Sequence, residues 1–125
     1  MSSLSFSAGN LALRFVLELV CLGGIGLASW HLTSTYWRWV LVILVPVAAA
    51  AAWGSFAVLD DPSRSGSAPI PVSGWIRLTI EIVILGAGVA GYIFAGNIRF
   101  ALLLGALLII HYALSYERII WLLGR

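Results

Sequence analysis

The stretch WIRLTIEIVILGAGVAGYIFA, residues 75–95, is a long apolar run with one arginine and one glutamate near its start. A helix of about 20 apolar residues is long enough to cross a bilayer. Three other runs have a similar length: 11–32, 38–59 and 98–123. None of the runs alternates as a barrel strand does, so strands are not expected. The sequence predicts an all-α fold, a bundle of four transmembrane helices forming a single membrane domain over residues 1–125.

The composition agrees with a protein that has little material outside the bilayer. Of the 125 residues, 62% are hydrophobic and 10% are charged, and the mean hydropathy is +1.05. A soluble domain usually has about 25% charged residues. The first run contains Arg14 and Glu18 and is too long for the apolar part of a signal peptide, so we interpret it as a permanent helix.

The charged residues predict the orientation in the membrane. All seven basic side chains are arginines, and cytoplasmic segments carry the excess of positive charge. Four helices place both termini and the middle loop, residues 60–74, on one side. That side holds five arginines and the other side two, so we expect cytoplasmic termini. The five are Arg14, Arg64, Arg77, Arg118 and Arg125, and the two are Arg38 and Arg99.

The loops define two helical hairpins. The connections at residues 33–37 and 96–97 are short, which makes the helices on either side antiparallel neighbours. The middle loop, residues 60–74, is rich in Pro, Gly and Ser and is expected to be an irregular cytoplasmic connector.

The two hairpins form an internal repeat. A shift of 63 residues places RFVLE, residues 14–18, on RLTIE, residues 77–81, and omitting two residues at the turn places Arg38 on Arg99. Each half has two helices, so both halves insert in the same direction. We therefore expect a pseudo-twofold axis along the membrane normal, with Glu18 and Glu81 facing each other at one depth.

Small residues predict how the helices pack. Glycines and alanines are frequent at residues 23–28 of the first helix and 86–91 of the third. Such residues let helix backbones approach closely in lipid, so we expect these two helices to be in contact. Pro46 is expected to bend the second helix.

Polar side chains predict a site in the cytoplasmic half of the bundle. At about 1.5 Å per residue, Glu18 lies roughly 10 Å inside its helix, and Glu81 and His111 reach a similar depth. On the fourth helix, His111, Ser115 and Arg118 form one stripe, and Tyr112 and Tyr116 form its neighbour. Glu117 lies below this layer with the arginines. The candidate ligand or proton site comprises Arg14, Glu18, Trp53, Arg77, Glu81, His111, Tyr112, Ser115 and Tyr116.

Two interpretations of this layer remain open. In the first, each glutamate pairs with its own arginine one turn away, which neutralises both charges and lets the helix insert. In the second, the carboxylates serve a function, because insertion does not require them and a charge inside the membrane is costly. An arginine before a glutamate is also the weaker order for a pair in a helix, so helix stability does not explain the motif.

Other site chemistries receive less support. Glu18, Glu81 and His111 could approach a metal ion, but no paired spacing of ligands on one helix supports a metal site. There is no phosphate loop and no nucleophile elbow, so no catalytic residue is assigned. No cofactor is indicated. The dispersed arginines do not form a nucleic-acid-binding patch.

The motifs NLALRFVLEL, WRWVLVILVP, AAWGSF, RLTIEIVIL and IIHYALS, within residues 10–115, resemble the YrdB-like family of small four-helix bacterial membrane proteins. The resemblance covers about residues 10–118. It implies a bacterial membrane location and the four-helix topology, and we expect that membrane to be the cytoplasmic (inner) membrane. The family is a domain of unknown function, so the resemblance implies no catalytic or binding roles.

Three functions are compatible with these patterns. The polar layer could bind or move a small polar or amphipathic solute, an ion or a proton, with His111 titrating and Trp53 forming a stacking wall. It could instead be an interhelical clasp in a structural or partner-binding subunit. An enzyme acting on a membrane-soluble substrate such as a quinone is the third. The partners expected are the lipid bilayer, a small ligand and further copies of the chain; a channel would require a homo-oligomer.

Overall fold

The structure, a computed structural model, describes residues 7–61 and 68–125. Five helices and two very short strands follow one another along the chain. They are α1 (Ala8–His31), α2 (Trp37–Ser55), β1 (Phe56–Ala57), β2 (Ile70–Pro71), α3 (Gly74–Phe94), α4 (Ile98–Leu114) and α5 (Tyr116–Leu123).

Three of these helices are long and apolar enough to cross a membrane. They are α1, α2 and α3, and α4 together with α5 makes a fourth if the two count as one bent span. The chain is thus mainly helical and has the helices of a multi-pass membrane protein. Arg64 lies outside the described residues, and so does the centre of the middle connector.

Helices α1 and α3 pack together through glycines, as the small residues predicted. A Cβ atom added at Gly24 would overlap the carbonyl oxygen of Gly88, and one at Gly91 would overlap that of Gly24. At the same contact, the Tyr92 hydroxyl donates a hydrogen bond of 2.6 Å to the Val20 carbonyl oxygen. The glycines bring the two backbones close enough for this bond, and the contact forms the centre of the fold.

Helix α2 lies at the edge of this centre, and none of its residues is buried. It contains Pro46, which packs over Gly26 of α1. At its start, the Arg38 guanidinium lies 4.3 Å from the Trp30 ring centroid. Helix α2 therefore presents most of its apolar surface outward, where a bilayer would cover it.

The fourth predicted helix, residues 98–123, is divided in the structure. Helix α4 ends at Leu114, and α5 leaves it at an angle of 69°. The bend occurs at Ser115, whose N–H bonds the carbonyl oxygens of His111 and Tyr112. It lets α5 lie along the start of α3, where Leu122 packs on Gly74, and it brings Arg118 back toward the centre of the bundle.

The second predicted helix, residues 38–59, also ends early. It stops at Ser55, and Phe56–Ala57 pair in parallel with Ile70–Pro71. The expectation of no strands is wrong at this point, because the connector folds back far enough for the Val72 N–H to bond the Ala57 carbonyl oxygen at 2.8 Å. The ladder fixes the end of α2 beside the start of α3.

Candidate functional site

Glu81 is the centre of a buried hydrogen-bond cluster. Its side chain has no exposed surface. Arg118 donates to both carboxylate oxygens, at 2.9 and 2.7 Å. Arg77, one turn earlier on α3, donates from Nε at 2.9 Å, and the Tyr112 hydroxyl donates at 2.8 Å. Arg14 approaches from α1 at 3.4 Å. Groups from α1, α3, α4 and α5 thus converge on one carboxylate.

The charges of this cluster balance when Glu18, the second partner of Arg14, is counted with it. Arg118 also donates to Asp61, at 3.0 Å, and Arg14 also pairs with Glu18. Three arginines therefore face three carboxylates, and their formal charges sum to zero. Buried charges are tolerated when each is paired and hydrogen-bonded, which is the arrangement here. We call the group formed by Arg14, Arg77, Arg118, Asp61, Glu81 and Tyr112 the Glu81 cluster.

Arg77 connects this cluster to the end of α2. Its Nη1 donates to the carbonyl oxygens of Trp53 and Phe56, the latter at 2.7 Å. Carbonyl groups at the end of a helix lack partners within the helix, and a cation there also interacts favourably with the helix dipole. Arg77 thus ties the otherwise peripheral α2 to the core.

Glu18 occupies a different environment, although it belongs to the same repeated motif. Its Oε1 accepts a hydrogen bond of 3.0 Å from Arg14 Nε, and its side chain is 20% exposed. It lines a groove of about 220 Å³ between α1, α2 and α3. The remaining walls are apolar and consist of Phe15, Leu19, Leu22, Ala50, Trp53 and Ile84.

Trp53 lies near both arginines of the repeat. Its ring centroid is 5.7 Å from Arg14 Cζ and 4.9 Å from Arg77 Cζ. Both distances allow a cation–π interaction. The same indole lines the groove beside Glu18, so Trp53 borders both the groove and the Glu81 cluster.

His111 belongs to a separate hydrogen-bond chain. Its Nδ1 lies 3.1 Å from Asn10 Oδ1, and Asn10 Nδ2 donates to Ser115 Oγ at 2.8 Å. All three side chains are buried. Asn10 is held at the start of α1, where its N–H bonds the Ser7 side chain. This chain ties the start of α1 to the end of α4.

The structure brings most of the candidate residues together. Arg14, Arg77, Glu81 and Tyr112 meet in one cluster, whereas His111 and Ser115 meet through Asn10. Tyr116 does not join them: it lies on the outer side of α5, 55% exposed.

Sequence reasoning missed Asn10 and Asp61 and placed Arg118 only in the layer below the site. Asp61 gave no signal, since it lies in the connector. Asn10, like Asn97, is an amide side chain directly before a membrane run, and that position could have drawn attention to it. Within residues 7–61 and 68–125, no group of three or more His, Cys, Asp or Glu side chains is placed to hold a metal ion.

Comparison with known proteins supports the resemblance noted in the sequence. Residues 12–109 match the model of the family described as protein of unknown function DUF2568. The chain is 40% identical over 116 residues to the uncharacterized protein YrdB of Bacillus subtilis (strain 168), covering 93% of this chain and 94% of that one. No solved structure matches. The chain therefore belongs to the DUF2568 family, and the predicted resemblance to YrdB-like proteins is confirmed.

Proposed function

We propose that this member of the DUF2568 family is a multi-pass membrane protein that binds a small solute in the groove beside Glu18. The Glu81 cluster serves in this proposal as an interhelical clasp. The two interpretations of the polar layer then apply to different halves of the protein: the binding role belongs to the Arg14–Glu18 half and the structural role to the Arg77–Glu81 half.

The observation that carries this proposal is the difference between the two glutamates. Glu81 is fully buried and accepts hydrogen bonds from three arginines and a tyrosine. Glu18 is partly exposed, has one arginine partner among the described residues, and borders an open groove. A carboxylate whose hydrogen-bonding capacity is filled has no room for a ligand, whereas Glu18 has both acceptor capacity and adjoining space.

A carboxylate at this depth needs an explanation that insertion does not supply. Polar groups inside a membrane protein are expensive to bury, and those that remain without full pairing mark functional sites by default. Binding pockets are mostly apolar with a few polar groups that set the orientation of the ligand. The groove has this character, with Glu18 as its polar group and Trp53 as an aromatic wall.

Orientation and symmetry form part of the same proposal. We place both termini in the cytoplasm and the protein in the bacterial cytoplasmic membrane, on the basis of the arginine distribution. The sequence repeat supports two hairpins related by a pseudo-twofold axis, and Arg14, which bonds both glutamates, fits their expected common depth.

Native mass spectrometry in a mild detergent tests the binding role. We expect the purified protein to carry a defined additional mass, and the Glu18→Gln variant to lose it at unchanged subunit number. Glu117→Gln is the matched control, because it removes a carboxylate from α5, away from the groove, and should retain the mass. A wild-type protein without any additional mass, or a Glu18→Gln variant that retains it, overturns the proposal.

A second candidate function is a structural or partner-binding subunit. The charge balance of the Glu81 cluster together with Glu18 favours it, because a neutral network can hold helices together without any ligand. This function predicts that the double variant Arg14→Leu/Glu18→Leu keeps both assembly and cellular function. Loss of function with intact assembly in that variant supports the binding role instead.

A further inference from the structure

We propose that the groove takes a single-chain amphiphile from the membrane, with the chain between α1, α2 and α3 and a hydrogen-bond-donating head at Glu18. This inference rests on the proposed binding function and names the class of ligand. The head is a hydroxyl or a protonated amine; an anionic head is excluded.

The position of the groove's mouth points to entry from the membrane. Phe15 and Leu19 flank Glu18 on α1 and line the groove, and they are 59% and 52% exposed. On the opposite wall, α2 has no buried residue. The mouth therefore opens on the apolar sides of helices that are long enough to span a bilayer. In a membrane this surface meets acyl chains, and a ligand would reach the groove from that phase.

The size of the groove suits the insertion of one apolar chain. Its volume of about 220 Å³ is below the roughly 300–1,000 Å³ of pockets that hold drug-sized molecules. One slender apolar group, such as a single alkyl chain, suits a groove of this size, whereas two chains side by side would need a wider space.

The unfilled capacity of Glu18 determines the head group. One oxygen, Oε1, accepts from Arg14, and in the described part of the chain no other group bonds this carboxylate. An ionised carboxylate only accepts hydrogen bonds, so the ligand must supply a donor. A carboxylate or phosphate head offers the wrong group and the wrong charge.

The second half of the chain has hydrogen-bond donors at Glu81 that the first half lacks at Glu18. In the repeat register that aligns Arg38 with Arg99, Tyr112 aligns with Ala51 and Arg118 aligns with Ala57. Tyr112 and Arg118 are the groups that complete Glu81. The first half has alanines instead, and His111 aligns with Ala50, which lines the groove. The ligand head would donate a hydrogen bond to Glu18, as the Tyr112 hydroxyl and the Arg118 guanidinium do to Glu81.

Fluorescence quenching at Trp53 tests this inference. The reporter is the full chain with the other five tryptophans replaced by phenylalanine, in phosphatidylcholine nanodiscs. The probes are terminally brominated octanol, octylamine and octanoate, since bromine quenches an indole on contact. We expect saturable quenching by the alcohol and the amine, and only weak quenching, linear in concentration, by octanoate.

Two further variants locate the binding. Glu18→Gln should weaken the binding of octylamine roughly tenfold, because a hydrogen bond to a charged carboxylate is replaced by one to a neutral amide. Ala50→Leu fills the groove without changing any charge and should abolish saturation. Ala48→Leu is its matched control on the outer side of α2 and should bind normally. Melting temperature and subunit number verify that each variant folds.

The outcomes separate this inference from the proposed function. The amphiphile inference is overturned if octanoate and octanol quench equally. It is also overturned if quenching is linear and Ala50→Leu does not change it. Ethanolamine is a water-soluble donor. If it instead changes Trp53 emission saturably and only when Glu18 is present, the groove binds a solute from water. The proposed binding function then holds, and only the amphiphile inference is overturned. If neither class of probe binds, both proposals fall.

Discussion

Arg14 is bonded to both glutamates of the repeated motif: its Nε lies 3.0 Å from Glu18 Oε1, and its Nη2 lies 3.4 Å from Glu81 Oε2. One guanidinium thus joins the groove to the Glu81 cluster. Arg77, which also bonds Glu81, joins that cluster to the end of α2. The groove and the end of α2 are thus connected through one hydrogen-bonded network.

The Glu81→Gln variant should be strongly destabilised. It removes the negative charge at which three arginines converge, and three arginines then face only Asp61 and Glu18. Removing one partner of a buried ion pair costs about 3–5 kcal/mol. The free energy of unfolding can be measured by SDS titration followed by circular dichroism.

The equivalent Glu18→Gln variant is the internal comparison. It removes only one of the two carboxylates that Arg14 bonds, so Arg14 keeps Glu81 as a partner and the loss should be smaller than that of Glu81→Gln. Equal destabilisation of the two variants would contradict the division into clasp and binding site.

The sequence predicted the long helices and the local pairs, but not the difference between the two halves. Arg14–Glu18 and Arg77–Glu81 form ion pairs one turn apart, as the motif indicated. Such pairs depend on spacing along one helix, which a sequence shows directly. The repeated motif makes the two glutamates look equivalent, and the repeat itself stays a prediction.

The contacts that distinguish them come from elsewhere in the chain. Arg118 reaches Glu81 only because α5 turns by 69°, and Asp61 reaches Arg118 only because the connector folds back. Both are tertiary effects with no local pattern. One signal was present: in the register of the repeat, Tyr112 and Arg118 align with alanines, so only the second glutamate has these partners.

The Tyr112→Phe variant should be destabilised, because the Tyr112 hydroxyl donates a hydrogen bond to the buried Glu81 carboxylate. Phenylalanine keeps the ring but removes the donor 2.8 Å from Oε1. The loss of one hydrogen-bond partner from a buried acceptor lowers the free energy of unfolding by about 1–3 kcal/mol. We expect a loss in this range, smaller than that of Glu81→Gln, in the same SDS titration. Tyr116→Phe removes a hydroxyl from an exposed ring on α5 and should leave stability unchanged; similar losses for both tyrosines would contradict the assignment.

The Gly88→Ala variant should weaken the contact between α1 and α3. A Cβ atom at this position would overlap the backbone and side chain of Cys21. Overpacking of this kind costs about 1–3 kcal/mol. Gly86→Ala on the same helix is the matched control, because nothing lies within 4 Å of its added Cβ atom. Alanine there should be neutral or stabilise the helix by up to about 1 kcal/mol. A melting temperature that falls equally in both variants would mean that helix α3 does not pack through Gly88.

The Arg118→Lys variant should loosen α5 while keeping the charge of the cluster. The Arg118 guanidinium bonds both oxygens of Glu81 and one oxygen of Asp61. A lysine ammonium is a point charge on a flexible stem and cannot reproduce this planar pattern. Since these bonds hold α5 against the core beyond the bend at Ser115, the amides of α5 should exchange with deuterium several-fold faster, and those of α1 and α3 should not change. Arg125→Lys provides the control, because Arg125 lies over Trp121 near the end of the chain and has no part in the cluster. Unchanged exchange in α5 would show that the packing of Leu122 on Gly74, rather than Arg118, holds this helix in place.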